Sequence, residues 1–423
     1  MKKLLVIFVI LLSVSFMFGV IDFWTAPNPQ QEAFWKEMVE IWNQNNPDAQ
    51  IKWKVIPATG SSEESILTAI ASGEGPDLCT NIFSGFAAQL IEADILVPWN
   101  EFDGYENLLE KRGMAEAIKG WEFDGNSYVI PIYSNPMLVW WRNDLLKEAG
   151  FDSPPRTYSE VIELGDKIAI PKERYAYSFL KGKNWWDRWF DYITHYYAAG
   201  NGAAYLDVNK NKCLLNKAPG FGDRAIGYEV ADFVAELFDK GYDALTMIDN
   251  ALFMGAVVGQ INGPWTMPWA ENTFPDVYPE HIVFSAPPVP DNYPEDMPIK
   301  TFADTKGMVL FNYAENKDKI WEFVKWVYSD PEHDKKWLEL TNLPPVRDDL
   351  VTNELFAPIF EGNEGLKAYA EYVPYAVPPA LTTYTVEIQD LMTQYLVEPL
   401  SLQKGTPEET VDKTVSEINR ELF

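Results

Sequence analysis

The apolar and polar positions of the first part of the chain alternate between strand-like and helix-like periods. The segment VIDFW predicts a strand, and residues 28–47 follow with Phe34, Met38 and Trp42 at helical spacing. AQIKWKVIP alternates like a second strand, Ser61 caps a helix over SILTAIASGEG, and PDLCTNIF predicts a third strand. Such strand–helix–strand repeats predict a parallel sheet with crossover helices, and ligand-binding side chains are expected just beyond its strand ends.

The second part of the chain mixes both periods and contains one proline-rich segment. YVIPIYS and MLVWWR predict strands, Gly150 closes a short helix, and Thr157 with Glu160 predicts a capping box on the next helix. Further helices are expected at 185–199 and 223–240, and a strand is expected before INGPW. We interpret the proline-rich residues 286–298 as a crossing between lobes, because proline forbids regular structure there. The last part, 348–423, is predicted to be helical throughout.

Length and composition favour a large two-lobed globular protein. A chain of 423 residues exceeds what one core usually supports, and 47% hydrophobic residues exclude a disordered chain. Sixteen tryptophans are more than a core needs, so some are expected at a ligand surface. The formal net charge of −29 disfavours nucleic acid and anionic membranes as partners and favours a monomer.

The N-terminus predicts export. Lys2 and Lys3 precede a short apolar run at 4–18, as in a secretory signal peptide, which we assign to residues 1–19. No cysteine follows the run closely, so no lipid anchor is expected, and the mature protein is expected to be periplasmic or extracellular. Cys79 and Cys213 could form a disulfide in that compartment, but two buried thiols are the favoured interpretation.

Enzyme motifs are absent from the sequence. It contains no G-x-S-x-G elbow and no P-loop, and His195, His281 and His333 lack metal-ligand spacing, so no catalytic residue, metal or cofactor is predicted. Among enzymes, a secreted glycoside hydrolase or lyase is the leading possibility, although an eightfold strand–helix repeat is missing. A carbohydrate-binding adhesin is a third possibility, but it would usually carry repeats or an anchor.

Four segments, in this order and spacing, resemble the extracellular solute-binding proteins of sugar ABC importers, of the maltose-binding type. They are ASGEGPDLCTNIFSGFAAQLIEADILVPW, RNDLLKEAGFDSPPRTYSEVIELGDKI, GQINGPW and VYSDPEHDKKWLELTNLPPVRDDL. One departure is Asp304-Thr305-Lys306-Gly307, where the family commonly has paired glycines. The resemblance implies a hinged two-lobed α/β fold (type II). Its first lobe would hold 20–132 and 289–345, and its second lobe would hold 133–288 and 346–423.

The resemblance also implies a binding function without chemistry. A carbohydrate, expected from the aromatic excess to be an oligosaccharide, would lie in the cleft between the lobes and be delivered to the membrane permease subunits of an ABC importer. Sugar sites use aromatic rings for C–H faces and planar polar groups for hydroxyls. The candidates on the first lobe and the crossings are Trp24, Asn28, Gln30, Asn81, Phe83, Ser84, Tyr133, Asn135 and Asp304. Those on the second lobe are Asn184, Trp185, Trp186, Trp265, Trp269, Glu271 and Tyr384.

Several of these candidates have a structural alternative. Trp24 fits a core position equally well. In the aromatic run KGKNWWDRWFDYITHYYAAG only the start is assigned to ligand, and the remainder is assigned to packing. Asp77 and Arg347 are predicted to be structural, Asp77 by fixing the loop after a strand and Arg347 in a turn or salt bridge.

Overall fold

The computed structural model describes residues 20–57, 61–115, 117–179 and 189–422, so the predicted signal peptide lies outside the described residues. The strands of these ranges, in chain order, are β1 (Ile21–Thr25), β2 (Ile51–Val55), β3 (Leu78–Ile82), β4 (Glu122–Phe123), β5 (Asn126–Ser127), β6 (Ile130–Pro136), β7 (Leu138–Arg142), β8 (Tyr175–Ser178), β9 (Leu206–Asp207), β10 (Lys212–Cys213), β11 (Val257–Asn262), β12 (Ile282–Ser285), β13 (Thr301–Leu310) and β14 (Ala376–Val377).

The α-helices of the same ranges are α1 (Pro29–Asn45), α2 (Ser62–Ser72), α3 (Ser84–Glu92), α4 (Tyr105–Arg112), α5 (Asn143–Glu148), α6 (Tyr158–Ile168), α7 (Phe190–Ala199), α8 (Ile226–Asp239), α9 (Thr266–Thr273), α10 (Lys317–Ser329), α11 (Pro331–Thr341), α12 (Ala357–Phe360), α13 (Glu364–Tyr372), α14 (Thr385–Met392), α15 (Glu398–Ser401) and α16 (Pro407–Glu421). The capping boxes predicted from Ser61 and Thr157 begin α2 and α6.

The first sheet contains the predicted parallel unit. Strand β1 pairs in parallel with β2, where Ile21 faces Ile51, and with β3, where Phe23 faces Leu78. Strand β13 continues the sheet antiparallel to β3, and β6 and β14 both pair with β13. Helix α1 covers one face, and its Trp35 meets Phe23 edge to face with ring centroids 5.0 Å apart. The prediction of a parallel sheet with crossover helices is confirmed for β1–β3.

The second sheet, in the order β12–β7–β11–β8, is covered on both faces. All five residues of β7 are buried, and successive side chains enter different cores. Leu138 and Trp140 pack in a cluster with α13, whereas Val139 and Trp141 pack in a cluster with α6, α8 and α16. Two-sided burial explains why MLVWWR shows an apolar run and no polar alternation.

Three neighbouring segments of the described chain connect the two sheets. Strand β13 has Phe302 in the second sheet's core and Met308 in that of the first, and β6 runs antiparallel beside it. The third segment is 344–346: the backbone N–H of Ser134 donates to Pro344 O over 2.9 Å, and that of Val346 donates to Ile132 O over 3.2 Å. This arrangement is typical of a hinge between lobes.

A buried ion network lies beside these crossings. The Arg112 guanidinium donates to both carboxylate oxygens of Asp334 (3.2 and 3.0 Å) and to the carbonyls of Pro131 and Ile132 (2.8 and 2.9 Å). Arg347 contacts the same carboxylate at 3.2 Å. The structural role predicted for Arg347 is confirmed, because its side chain is 4% exposed and ion-paired.

Most of the aromatic run around α7 is packed as predicted, but Phe190 is only half-buried and lines a cavity. Trp189, Tyr192, Tyr196 and Tyr197 are all buried in the second sheet's core. His195 on the same helix is fully buried: its Nδ1 lies 2.7 Å from the carbonyl of Asp191, and its Nε2 lies 3.2 Å from a tyrosine hydroxyl. Burial lowers the pKa of His195 to about 4, so the imidazole is neutral at physiological pH.

Two predictions about the later part of the chain are wrong. The proline-rich segment 286–298 does not make the crossing: it packs on the second half, where Tyr158 N donates to Val289 O and Val289 clusters with Ala198. Strand β13 makes the crossing instead. The prediction that 348–423 is helical throughout also fails, since the chain is extended around β14. There Pro378 and Pro379 lack the N–H groups that a helix needs.

Both cysteines are free and buried, so the disulfide alternative is wrong and the buried-thiol interpretation is confirmed. Cys79 belongs to the first sheet's core and Cys213 to the second sheet's core. Burial raises the pKa of Cys213 to about 12. Within the part of the chain that the structure describes, none of the helices combines the length and the apolar character needed to cross a membrane.

Candidate functional site

A cavity of about 600 Å³ lies between the two halves of the molecule. The first half contributes Ser61, Glu63, Asn81, Phe83, Ser84 and Gln89. The crossing strand β13 contributes its residues 302–306. The second half contributes Phe190, Pro379, Thr385, Val386 and Gln389. Aromatic rings, amides and hydroxyls therefore meet in one concave site, as a small polar ligand requires.

The wall from the first half is formed where β3 ends. Asn81 has φ of 66°, a left-handed conformation that asparagine tolerates, and its Nδ2 donates to Ser62 Oγ over 3.2 Å. The turn places Phe83 and Ser84 at the start of α3, facing the cavity. Ser84 is 1% exposed, and its Oγ has no hydrogen-bond partner within the described ranges. Three sequence candidates, Asn81, Phe83 and Ser84, are thus brought together where β3 ends and α3 begins; Asn81 is still within the strand, whereas the sequence placed it in the loop after it.

The crossing strands carry a second group of candidates. Asp304 lines the cavity, and Asn135 lies opposite it in the β6–β13 pair. Asn135 is buried, and its Oδ1 has no partner among the described residues. Tyr133 is also buried and stacks on Trp337 with centroids 5.8 Å apart. Burial first, and then the negative charge of Asp304, raise the pKa of Tyr133, so its phenol stays protonated.

Two of the three candidates near β1, Trp24 and Asn28, have structural roles. Trp24 is 3% exposed in the first core, with the Lys54 ammonium 4.0 Å from its ring centroid. Asn28 is the N-cap of α1, and its Oδ1 accepts from the backbone N–H groups of Gln30 and Gln31. The Gln30 side chain is exposed on the first turn. The described lining of the cavity includes none of Trp24, Asn28 and Gln30, so their binding role stays a prediction.

The candidates at INGPW form an exposed aromatic edge. Trp265 is 49% exposed, and its six-membered ring lies against Gly263, where an added Cβ would come within 2.1 Å of Cζ3. Trp269 is 43% exposed and packs edge to face on Phe253, with centroids 5.5 Å apart. Glu271 is exposed on the same helix, α9. These side chains are available to a ligand, but they lie outside the described cavity lining.

The remaining candidates surround α7 and α14. Tyr384 is half-buried and immediately precedes Thr385, which lines the cavity. Asn184, Trp185 and Trp186 lie outside the described residues.

Sequence reasoning missed several lining residues. Lys306 follows Asp304 at a strand spacing of two, so the alternation of β13 could have predicted that both share a face. Thr385 and Gln389 lie one helical turn apart on α14, which could have linked them to each other but not to β13. Glu63 and Gln89 carried no sequence signal that we recognise.

The structural role predicted for Asp77 is confirmed, but Asp77 fixes the segment before β3 and not the loop after the strand. Its Oδ2 accepts from the N–H of Asp22 over 2.9 Å, which ties the loop before β3 to β1. Burial raises the pKa of Asp77, and the hydrogen bond from Asp22 opposes that rise.

Comparison with known proteins identifies the family. The model of the bacterial extracellular solute-binding proteins matches residues 26–333. An uncharacterised protein from Listeria monocytogenes EGD-e, of known crystal structure, is 35% identical with a TM-score of 0.89, covering 95% of this chain and 99% of its own. The sugar-binding protein MalE from Xanthomonas citri is 18% identical with a TM-score of 0.79, covering 96% of this chain and 97% of its own.

A sequence relative points in the same direction. The maltotriose-binding protein of Pyrococcus abyssi is 24% identical over 297 residues, which are 69% of this chain and 60% of that protein. The chain thus spans less than two thirds of this relative's length. The likeness to the MalE structure shows that the fold is the two-lobed α/β fold, type II, of periplasmic binding proteins. Since the family model matches more than half of its residues, the chain belongs to the bacterial extracellular solute-binding protein family.

Proposed function

We propose that this protein binds a carbohydrate, an oligosaccharide in preference to a monosaccharide, between its two halves and delivers it to the permease of an ABC importer. The observation that carries the proposal is the cavity of about 600 Å³ with Phe83, Phe190 and Phe302 beside Asn81, Asp304 and Gln389. Rings suit sugar C–H faces, and planar polar groups suit hydroxyls. The maltotriose-binding protein and the sugar-binding protein MalE, to which the chain is similar, support the same ligand class.

The remaining parts of the proposal concern the division of the chain into lobes, the cellular location and the oligomeric state. The first lobe would comprise 20–132 with 289–345, and the second 133–288 with 346–423; the packing of Val289 on the second half favours moving that boundary into β13. The ligand would favour closure of the lobes, because it would bind the closed state more tightly than the open one. The protein would be exported by residues 1–19, act as a monomer without a lipid anchor, outside the cytoplasmic membrane, and have no nucleic-acid partner.

Thermal melting against a panel of mono- and oligosaccharides tests the proposal. A ligand present at 100 times its dissociation constant should add about 2.7 kcal/mol to the free energy of unfolding. A panel that leaves the melting temperature unchanged, and that isothermal titration also shows to be unbound, would refute carbohydrate binding.

Product analysis of the same panel separates the proposed binder from the glycoside hydrolase or lyase. We expect the saccharides to be recovered intact after prolonged incubation, because a binding protein releases its ligand unchanged. Appearance of shortened or unsaturated products, lost on substitution of cavity carboxylates, would support the enzyme instead.

A further inference from the structure

The cavity contains a charged pair on β13. The Nζ atom of Lys306 lies 3.0 Å from Oδ1 of Asp304, and the two side chains are only 19% and 26% exposed. The same ammonium lies 5.4 Å from the ring centroid of Phe83. Because the two residues are separated by two positions on a strand, they project from the same face of the sheet. The pair is therefore held inside the cavity and not on the outer surface.

Groups beside this pair can accept hydrogen bonds. Asp304 has a second carboxylate oxygen, and Asn135, which is outside the described cavity lining, lies opposite it with a buried Oδ1 that is unpaired among the described residues. Ser84 Oγ on the facing wall is also buried without a partner in the described ranges. A buried acceptor without a donor is costly, so a ligand that donates hydroxyl hydrogens gains here. A ligand carboxylate could accept from the Ser84 hydroxyl, but it has no hydrogen to donate to Asp304.

The charge of the cavity also disfavours an acidic ligand. Among its described lining residues, the charged side chains are Glu63, Asp304 and Lys306, which leaves one negative charge in excess. The ammonium of Lys306 is already engaged by Asp304. A carboxylate entering the cavity would therefore meet two like charges and compete for one cation that Asp304 already engages.

We propose that the Asp304–Lys306 pair is a specificity determinant, which makes the cleft bind uncharged saccharides and reject their carboxylated counterparts. Asp304 accepts from a sugar hydroxyl, and Lys306 is a positioning residue that holds and neutralises Asp304. The inference rests on the proposed carbohydrate-binding function and deepens it by naming the ligand class.

The test compares matched ligands on matched variants. The probes are maltotriose, cellotriose and mannotriose, each with the counterpart in which C6 hydroxymethyl groups are oxidised to carboxylates. Dissociation constants are measured by isothermal titration at one low ionic strength for the wild type, Asp304→Asn, Lys306→Met, Lys306→Arg and Glu63→Gln. The Glu63→Gln variant is the control, since it removes the same single charge from the cavity without freeing a lysine. Melting of each unliganded variant checks that it folds.

We expect the wild type to prefer the best-bound neutral trisaccharide over its carboxylated counterpart by at least tenfold. Asp304→Asn should lower this ratio at least tenfold, because it releases the ammonium of Lys306 to the ligand carboxylate. Lys306→Met should weaken both ligands and the carboxylated one more, whereas Lys306→Arg should keep the ratio within threefold of the wild type. Glu63→Gln should lower the ratio several-fold less than Asp304→Asn does, because it removes one repelling charge without releasing the ammonium of Lys306.

Two results would overturn the inference while leaving the proposed function intact. One is a wild type that binds neutral and carboxylated saccharides equally well. The other is an equal change of the ratio in Asp304→Asn and Glu63→Gln, which would mean that overall charge and not this pair sets the preference. If Asp304→Asn fails to fold, the inference is tested by the two lysine variants. The preference for the neutral ligand must rise in Lys306→Met and stay near the wild-type value in Lys306→Arg, and the same value in both variants would overturn the inference. A wild type that binds no saccharide refutes the proposed function and the inference together.

Discussion

Replacement of Trp265 by alanine examines whether the exposed aromatic edge of the second half belongs to the binding site. The indole follows INGP, lies against Gly263 and remains 49% exposed. Trp269, four positions further on, is 43% exposed, and two neighbouring exposed indoles form an apolar patch of the kind that marks binding surfaces. We therefore expect Trp265→Ala to weaken saccharide binding and to leave the fold intact.

The size of the effect follows from the exposed area. A tryptophan presents up to about 250 Å² of surface, so 49% exposure leaves roughly 120 Å². A sugar ring that covers half of this area removes about 60 Å² from water, which is worth about 1.5 kcal/mol at roughly 25 cal/mol per Å². Stacking geometry adds to this value, so we expect a loss of about 1–3 kcal/mol in binding free energy, or roughly fivefold to 150-fold in affinity.

Isothermal titration with the best saccharide of the panel measures this loss directly. Urea denaturation of the unliganded variant should show that it folds, with a loss of at most about 3 kcal/mol in the free energy of unfolding, because only about half of the side chain is buried. Trp326→Ala, which removes a half-buried indole of α10 outside the described cavity lining, is the control and should leave affinity unchanged. Unchanged affinity in Trp265→Ala would remove Trp265 from the site.

Further predictions concern packing and pH. Gly263→Ala should weaken saccharide affinity several-fold in the same titration, because its Cβ would displace the adjacent indole; an unaltered dissociation constant would refute this. Asp334→Asn should lower the free energy of unfolding, measured in urea, by about 3–5 kcal/mol, since it leaves the buried Arg112 without its counter-ion; a loss below about 1 kcal/mol would contradict it. The unfolded chain takes up a proton on His195 near pH 6.5 that the native protein takes up only near pH 4, so stability falls as pH falls through this window. Between pH 7.5 and 5 the stability difference between wild type and His195→Gln should shift against the wild type by about 2 kcal/mol, and a constant difference would disprove the assignment.

The sequence by itself determined the local elements and the family. The caps Ser61 and Thr157 and the helical spacing in α1 were read correctly, because caps and periodicity depend on residues three or four positions apart. The parallel orientation of β1, β2 and β3 could be predicted from the length of the helical connections between them. The ordered motifs pointed to the solute-binding family, which the family model supports.

Sequence patterns also found part of the cavity lining. Asn81, Phe83 and Ser84 were chosen because ligands of such sheets lie near the strand ends, a rule that needs only the position of β3, and all three line the cavity. Asn28 also follows a strand of this sheet, β1, yet its Oδ1 caps α1. An asparagine after a strand fits both roles, and only the geometry of the next turn distinguishes them.

Tertiary structure alone decided how the cavity is completed. Lys306 and Asp304 meet Phe83 because β13 returns antiparallel beside β3 from more than two hundred positions away. The segment 286–298 looked like the crossing, but hydrogen bonds to the start of α6 hold it on the second half, and β13 crosses instead. Pairing between distant strands depends on the packing of whole cores, and no local period in the sequence records which strand will cross or which charge it will carry into the cleft.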